Sequence, residues 1–486
     1  MKASPAHARH RKDPIPIDPT EGVTSFRVEN PNILRRFLRL CFPSKSALLI
    51  ALFTCVIVPA SLVGMHIHEN PKLSPIDEGA HLDYVTRIER LSMPRMGQRL
   101  QPSTLRVTVC AGIVLAVKLP PCDARTLTPQ EFPGGGYQYE AQQPPTYYAA
   151  TVPFRLFFFD VLGVRDPDAT RLVGILWLVG GLLFLWTAGR LLRLAPGVIG
   201  AALLLIGAAP VVVYESAIVT NDAASILAAG MTLFFAALAW RKPGWWTAPT
   251  LFVVAAVVTS FKTTDVLPVA AVAVTFGIMA WKDRRPQMAP TQTLGGFMRS
   301  WLPTGGALLI GGAAAAATWL VVSQKLSLVN LRTFAVFGIL RTHPVGLALI
   351  AREALTLLAP ATGSFDPLRS DQSMQSGNLE IITGTLLMYL LVAGGLAGLF
   401  VRRRQWFHWL GLTTVPLLYV GGVALGISIW HTYNTDPGLS GRYGMSLAPF
   451  LALALCAACR GKWPLRAIWL FGLVSFGLSL SFTLVQ

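Results

Sequence analysis

Residues 171–214 read RLVGILWLVGGLLFLWTAGRLLRLAPGVIGAALLLIGAAPVVVY. Two apolar runs, 171–190 and 196–214, are joined by a short basic step at Arg190 and Arg193. About 20 apolar residues are needed for a helix to cross the hydrocarbon core of a bilayer. A basic step between two such runs marks the side retained in the cytoplasm. Run, basic step and run together predict a helical hairpin through a membrane.

The same unit recurs on either side. Nine further apolar runs lie at 47–67, 217–240, 246–260, 265–282, 301–323, 381–401, 407–429, 443–459 and 463–484. Basic clusters precede the first of the eleven runs and follow the second, fourth, sixth, eighth and tenth in chain order. If all eleven cross, every cluster falls on one side. The composition agrees: of 486 residues 53% are hydrophobic and only 13% charged, and the mean hydropathy is +0.53. The expected fold class is therefore all-α, a polytopic membrane protein of about eleven crossings. Two leftover apolar pieces, 146–164 and 345–361, read as amphipathic juxtamembrane helices on the external side. If 107–119 crosses as a pair with 146–164, the count becomes thirteen.

The net charge of +17 is spread as topology signals between apolar runs, so no nucleic-acid partner is expected. Residues 1–46 read as a basic, disordered cytoplasmic tail and 47–486 as one transmembrane domain. Two large external loops are expected, a catalytic one at 68–170 and a second at 324–380. The N-terminus is then cytoplasmic and the active face external.

On this topology the unusual polar residues gather on the face opposite the basic clusters: Asp77, Glu78, Glu140, Glu215, Asp222, Lys262, Asp265, His431, Asp436 and Arg442. Folding alone does not ask for that. From Asp77 onward the spacing predicts a short amphipathic helix lying on the bilayer. Asp77, His81 and Tyr84 would share one face, and Leu82, Val85 and Leu91 a second, apolar one. The plainer reading is that two acids simply suit a first helical turn.

Four more pieces stand out. Pro144 and Pro145 open a helix carrying Tyr147 and Tyr148, at home at a headgroup interface. Asn221 and Asp222 begin an apolar run, either as a capping pair or as lining of a cavity. Lys262 is a lone cation at a run end, available to phosphate or to Asp265. Arg442 opens a run against the charge bias, with Tyr443 beside it. Its planar fork suits a phosphate, although a snorkelling anchor would look the same. Cys110 and Cys122 share the first external loop, which predicts a disulfide between them. No Walker loop, GxGxxG or HExxH is present, and no metal site is assigned.

Four of these motifs, in this order, resemble those of the GT-C superfamily of integral-membrane glycosyltransferases, which includes protein O-mannosyltransferases and arabinofuranosyltransferases. They are Pro-Ile-Asp-Glu-x-x-His at 75–81, Pro-Pro-Thr-Tyr-Tyr at 144–148, Asn-Asp-Ala at 221–223 and Gly-Arg-Tyr at 441–443. The resemblance implies a hexosyl or pentosyl transferase in a bacterial cytoplasmic membrane. Its donor would be a polyprenyl-phosphate sugar, and its acceptor an envelope glycan, lipid or protein. Asp77 would be the general base of an inverting reaction, and Glu78 would orient the acceptor or, as in some relatives, a divalent metal. His81, Tyr147, Tyr148, Asn221, Asp222, Lys262, Arg442 and Tyr443 would bind substrate. A transporter or flippase of lipid-linked or polar solutes, and a non-catalytic envelope assembly protein, are the competing readings.

Overall fold

The computed structural model describes residues 38–74, 77–114, 118–284, 301–332, 346–358, 378–401, 405–434, 438–459 and 461–485. Residues 1–37 of the expected tail, most of 324–380, the basic residues at 402–404 and 460, and Asp436 lie outside them.

The protein is an all-α polytopic membrane protein. Among the described residues there is no β-strand, only the isolated bridges Leu73–Ile113 and Arg99–Tyr137. Nine described helices are long and apolar enough to cross a bilayer. They are Lys45–Glu69, Asp168–Leu191, Asn221–Arg241, Thr263–Lys282, Leu302–Leu326, Ile382–Phe400, Trp406–Tyr433, Gly441–Ala458 and Lys462–Ser481.

Two of the eleven expected runs differ. The run at 196–214 is a broken pair, Pro196–Gly207 and Pro210–Ala217, bent by 61°. Pro210 has no N–H to continue the first helix and a fixed φ that suits starting the second. The run at 246–260 forms Thr247–Thr259, 13 residues long. At 1.5 Å per residue that is about 20 Å, short of a hydrocarbon core of about 30 Å.

The juxtamembrane pieces are helical too. Thr146–Leu156 continues through a π-turn at Phe157–Val161, and Leu347–Ala354 packs on Trp406–Tyr433. The 107–119 segment does not form one helix. The helix Pro102–Ala111 stops at Gly112, whose φ of +78° is readily adopted only by glycine.

Small residues let the helices approach closely. A Cβ on Gly181 would lie 2.6 Å from the Ile226 carbonyl carbon, and one on Gly230 would lie 2.5 Å from the Gly181 oxygen. Backbone contact of this kind drives helix association where apolar lipid offers no hydrophobic gain.

The two ends of the bundle differ. At one end Arg190 donates to Leu40 O and Arg241 to Leu191 O, closing basic helix ends onto backbone carbonyls. The other end carries the acids and is capped by residues 70–167. This cap has a small apolar cluster of Leu105, Val109 and Phe132, and it is crossed by buried polar links. Asp83 accepts from Arg87 Nε at 2.6 Å, Gln101 N at 2.7 Å, Thr104 Oγ1 at 3.0 Å and Gln138 Nε2 at 3.0 Å. Arg155 pairs with both Glu89 and Asp166. Cys110 and Cys122 are joined by a disulfide.

The helix Glu78–Glu89 corrects the sequence reading. It does not lie on a surface: Glu78, His81, Asp83, Tyr84 and Arg87 are all buried. Both of its sides are packed: Leu82 and Val85 are buried along with the polar residues, whose charged groups find partners in the cap or, for Glu78, in the bundle. Leu91, expected on the apolar face, lies beyond the helix end and is almost fully exposed.

Candidate functional site

The site begins where the first span hands over to the cap. The Glu78 carboxylate folds the chain back on itself, accepting from Ser74 N at 2.6 Å. The tight return places Asp77 in the left-handed region, at φ 58° and ψ 0°. Aspartate tolerates that conformation better than most L-residues. The helix therefore starts at Glu78, not at Asp77. The Asp77 carbonyl accepts from Ala80 N and His81 N, and its side chain turns away from the helix face of His81 and Tyr84 toward Arg442.

Glu78 is committed to the fold. Arg171, in the first turn of Asp168–Leu191, donates Nε to Glu78 Oε1 at 2.7 Å and Nη2 to Oε2 at 2.8 Å. Val219 N donates to Oε1 at 3.0 Å. Arg171 also reaches Asn70 O at 2.9 Å and Lys72 O at 2.8 Å. With Ser74 N, each Glu78 oxygen thus accepts two bonds. Nothing is left over to orient an acceptor or bind a cation, so the role expected of Glu78 gives way to that of a clasp.

Arg442 is the centre of the site. It sits in the 3₁₀ turn Gly441–Leu447, buried instead of snorkelling. Three carboxylates surround its guanidinium: Asp77 at 3.6 Å, Glu215 at 3.6 Å and Asp222 at 3.8 Å. These contacts are longer than hydrogen bonds, and Arg442 Nε has no acceptor among the described residues. Lys262 is paired with Asp222, not with Asp265. Lys262 Nζ lies 4.8 Å from the centroid of the Tyr443 ring and the Arg442 guanidinium carbon 5.5 Å, so two cations meet one aromatic ring. Asp77 is the acid that faces outward: its side chain is 19% exposed, against 2% for Glu215 and 3% for Asp222.

A second layer comes from 138–148. His81 Nδ1 shares a hydrogen bond of 2.8 Å with the Tyr148 hydroxyl, and His81 Nε2 lies 3.7 Å from Glu140 Oε2. Tyr84 stacks on Tyr148 at 3.7 Å. The Tyr139 hydroxyl bonds to Asp77. Burial first, and then the Asp77 charge, push the Glu140 carboxyl up to about 8, against the pull of Arg442 and Lys262. Burial pushes His81 down to about 3, so its imidazole is neutral at ordinary pH. Burial together with the Asp77 charge raises the Tyr139 phenol.

Of the residues expected to bind substrate, Asp222, Lys262, Arg442 and Tyr443 come together with Asp77. His81 and Tyr148 stand behind, facing Glu140. Asn221 bridges Gln143 Oε1 and Phe261 O, stitching the cap to the bundle. Tyr147 is packed in the core against Tyr148 and Trp177. The sequence does not single out Arg171; it offers Tyr139 only as the first residue of the aromatic stretch 139–148, and Glu140 and Glu215 only as acids of the external face. Arg171 carried the same signal that singled out Arg442, an arginine at the start of an apolar run on the side opposite the basic clusters.

The residues do not fit a resident divalent metal. The two Glu78 oxygens are fully engaged, and no three His, Cys, Asp or Glu among the described residues form a group that would hold an ion. No family model matches the chain, nor does any curated protein or solved structure.

Proposed function

We propose that this protein is a membrane glycosyltransferase of GT-C type, moving a sugar from a polyprenyl-phosphate donor to an envelope glycan, lipid or protein. One observation carries the reading: the outward-facing Asp77 carboxylate lies 3.6 Å from a buried guanidinium that is not hydrogen-bonded to it. In this reading a base and a cationic group sit side by side at headgroup depth.

In this reading Asp77 takes the proton of an acceptor hydroxyl as that oxygen attacks the anomeric carbon. The bond from that carbon to the lipid phosphate breaks, and the electron pair leaves on the phosphate. Configuration inverts. A positioned base contributes about 10²–10⁴ in rate. Arg442 and Lys262 act on the departing phosphate, where fixed positive charge counts most. We assign eleven crossings because all the basic clusters then fall on one side, counting the bent pair as one and letting the short Thr247–Thr259 cross where the bilayer thins to meet it, with the site on the external face of a bacterial cytoplasmic membrane.

A transporter of lipid-linked solutes is the second reading. It is favoured by the broken pair at 196–217, since broken helices line transporter sites. The two separate in one assay. Proteoliposomes are given a panel of polyprenyl-phosphate sugars and acceptors, wild type beside Asp77→Asn. We expect transfer by wild type and a loss of about 10²–10⁴ in the variant. Equal transfer by both would refute the role of Asp77. Movement of lipid across the bilayer without transfer would favour transport.

A further inference from the structure

Three spans that supply the site begin with a 3₁₀ turn: Asn221–Ala224, Thr263–Asp265 and Gly441–Leu447. The first N–H groups of a helix have no partner within it and carry its positive end. The first two turns hold an acid of their own, Asp222 and Asp265, and the first is also capped, Asp222 N donating to Thr220 Oγ1 at 3.3 Å. The third has no acid in its first turn. Its N-cap is Ser440, and a serine there ordinarily accepts from an N–H of that turn. Ser440 does not. Tyr443 N donates at 3.0 Å to the Ser440 carbonyl, and the Ser440 hydroxyl has no hydrogen-bond partner among the described residues, although the residue is only 4% exposed. The approach to it is fixed: the Thr356 hydroxyl donates to Leu439 O at 3.0 Å, and Leu439 is itself buried. A buried hydroxyl left unpaired is destabilising, which points to something that the protein takes up.

We propose that Ser440 and the N-terminus of the span Gly441–Ala458 form, with Arg442, the subsite that holds the donor's phosphate, the Ser440 hydroxyl donating to a phosphate oxygen. The proposal rests on the donor class given above and says how that phosphate is held. Ser440 stands two residues before Arg442 in the same turn, and Arg442 Nε likewise lacks a hydrogen-bond acceptor among the described residues. Charge explains why the two cations need help. Asp77, Glu215 and Asp222 lie 3.6, 3.6 and 3.8 Å from the Arg442 guanidinium, and Asp222 is also the partner of Lys262. Three carboxyl groups thus face two cations, whose charge is partly spent on the protein's own acids. A helix N-terminus adds about half a positive charge together with N–H donors, and helix starts hold phosphate groups by this means. The Ser440 hydroxyl adds a further donor. A neutral sugar would satisfy that hydroxyl and gain nothing from the helix end, whereas an anion gains from both.

The test is binding of a polyprenyl monophosphate, the form in which the donor's phosphate leaves, to full-length protein in nanodiscs. The neutral polyprenol and inorganic phosphate are the controls. Wild type should bind the monophosphate far more tightly than the alcohol, and millimolar inorganic phosphate should not displace it. In Ser440→Ala the dissociation constant should rise about 10- to 100-fold, the worth of one hydrogen bond to a charged group. The lipid-free variant should melt no lower than wild type, because no internal bond is lost. Binding by Ser440→Ala equal to that of wild type overturns this assignment alone. So does a lower melting point of the lipid-free variant, which would show the hydroxyl already serving the fold. Displacement by inorganic phosphate would make the subsite one for the free anion and refute the lipid assignment. Equal binding of alcohol and monophosphate by wild type, or failure to bind either, overturns the donor reading and this inference together.

Discussion

Replacing Arg171 with alanine removes the clasp from one side. Four side-chain donor contacts disappear together, two to Glu78 and one each to Asn70 O and Lys72 O. Glu78 keeps only the N–H groups of Ser74 and Val219, while its charge stays buried. Breaking a buried ion pair from one side costs about 3–5 kcal/mol, because the remaining charge is uncompensated. The contact of Arg171 with Asp168 adds little, since Asp168 is 45% exposed. We therefore expect Arg171→Ala to lose about 3–5 kcal/mol in a reversible detergent unfolding titration. The double variant Arg171→Met with Glu78→Gln should lose less than the single one, because it leaves no orphan charge. A loss below about 1 kcal/mol for Arg171→Ala, or strict additivity in the double variant, would refute the clasp.

Three other outcomes follow from particular residues. Cys110→Ser with Cys122→Ser opens a link of sequence separation 12 and should cost about 3 kcal/mol; thermal melts with and without reductant measure it. Gly174→Ala puts a Cβ 1.9 Å from Ser216 O and should move the neighbouring Glu215 away from Arg442. Transfer should fall and the melting point drop, and an unchanged melting point would show that the backbones separate freely. Asp77→Gly relieves a left-handed residue and should gain about 1 kcal/mol while transfer is lost. Loss of stability instead would mean that the contact with Arg442 outweighs the strain.

The membrane fold was legible because apolar length is a direct requirement of the bilayer, and nine runs became helices of that length. The break at 208–209 was marked by Pro210 inside an apolar run, a signal that hydropathy passes over. Asp222, Lys262 and Arg442 were legible because a charge at the start of an apolar run is costly unless something answers it. What answers it was not legible. The partner of Lys262 is 40 residues away and that of Glu78 is 93, and no local spacing encodes pairs of that range. The burial of Glu78–Glu89 was missed for the same reason. Periodicity assigns polar residues to water, whereas here Asp83, Arg87 and Gln138 satisfy one another inside the cap.

Glu78 also sets an order of events during synthesis. Its donors lie at residues 74, 171 and 219, the last 141 residues downstream. At about 5–20 residues per second, the ribosome takes roughly 7–30 s to supply them all. Until then the buried Glu78 carboxylate lacks its full set of donors. Insertion of the second helix delivers Arg171, and completion of the bent pair delivers Val219. The corner around Glu78 is thus completed by the membrane domain, after the loop that bears it has already been translated.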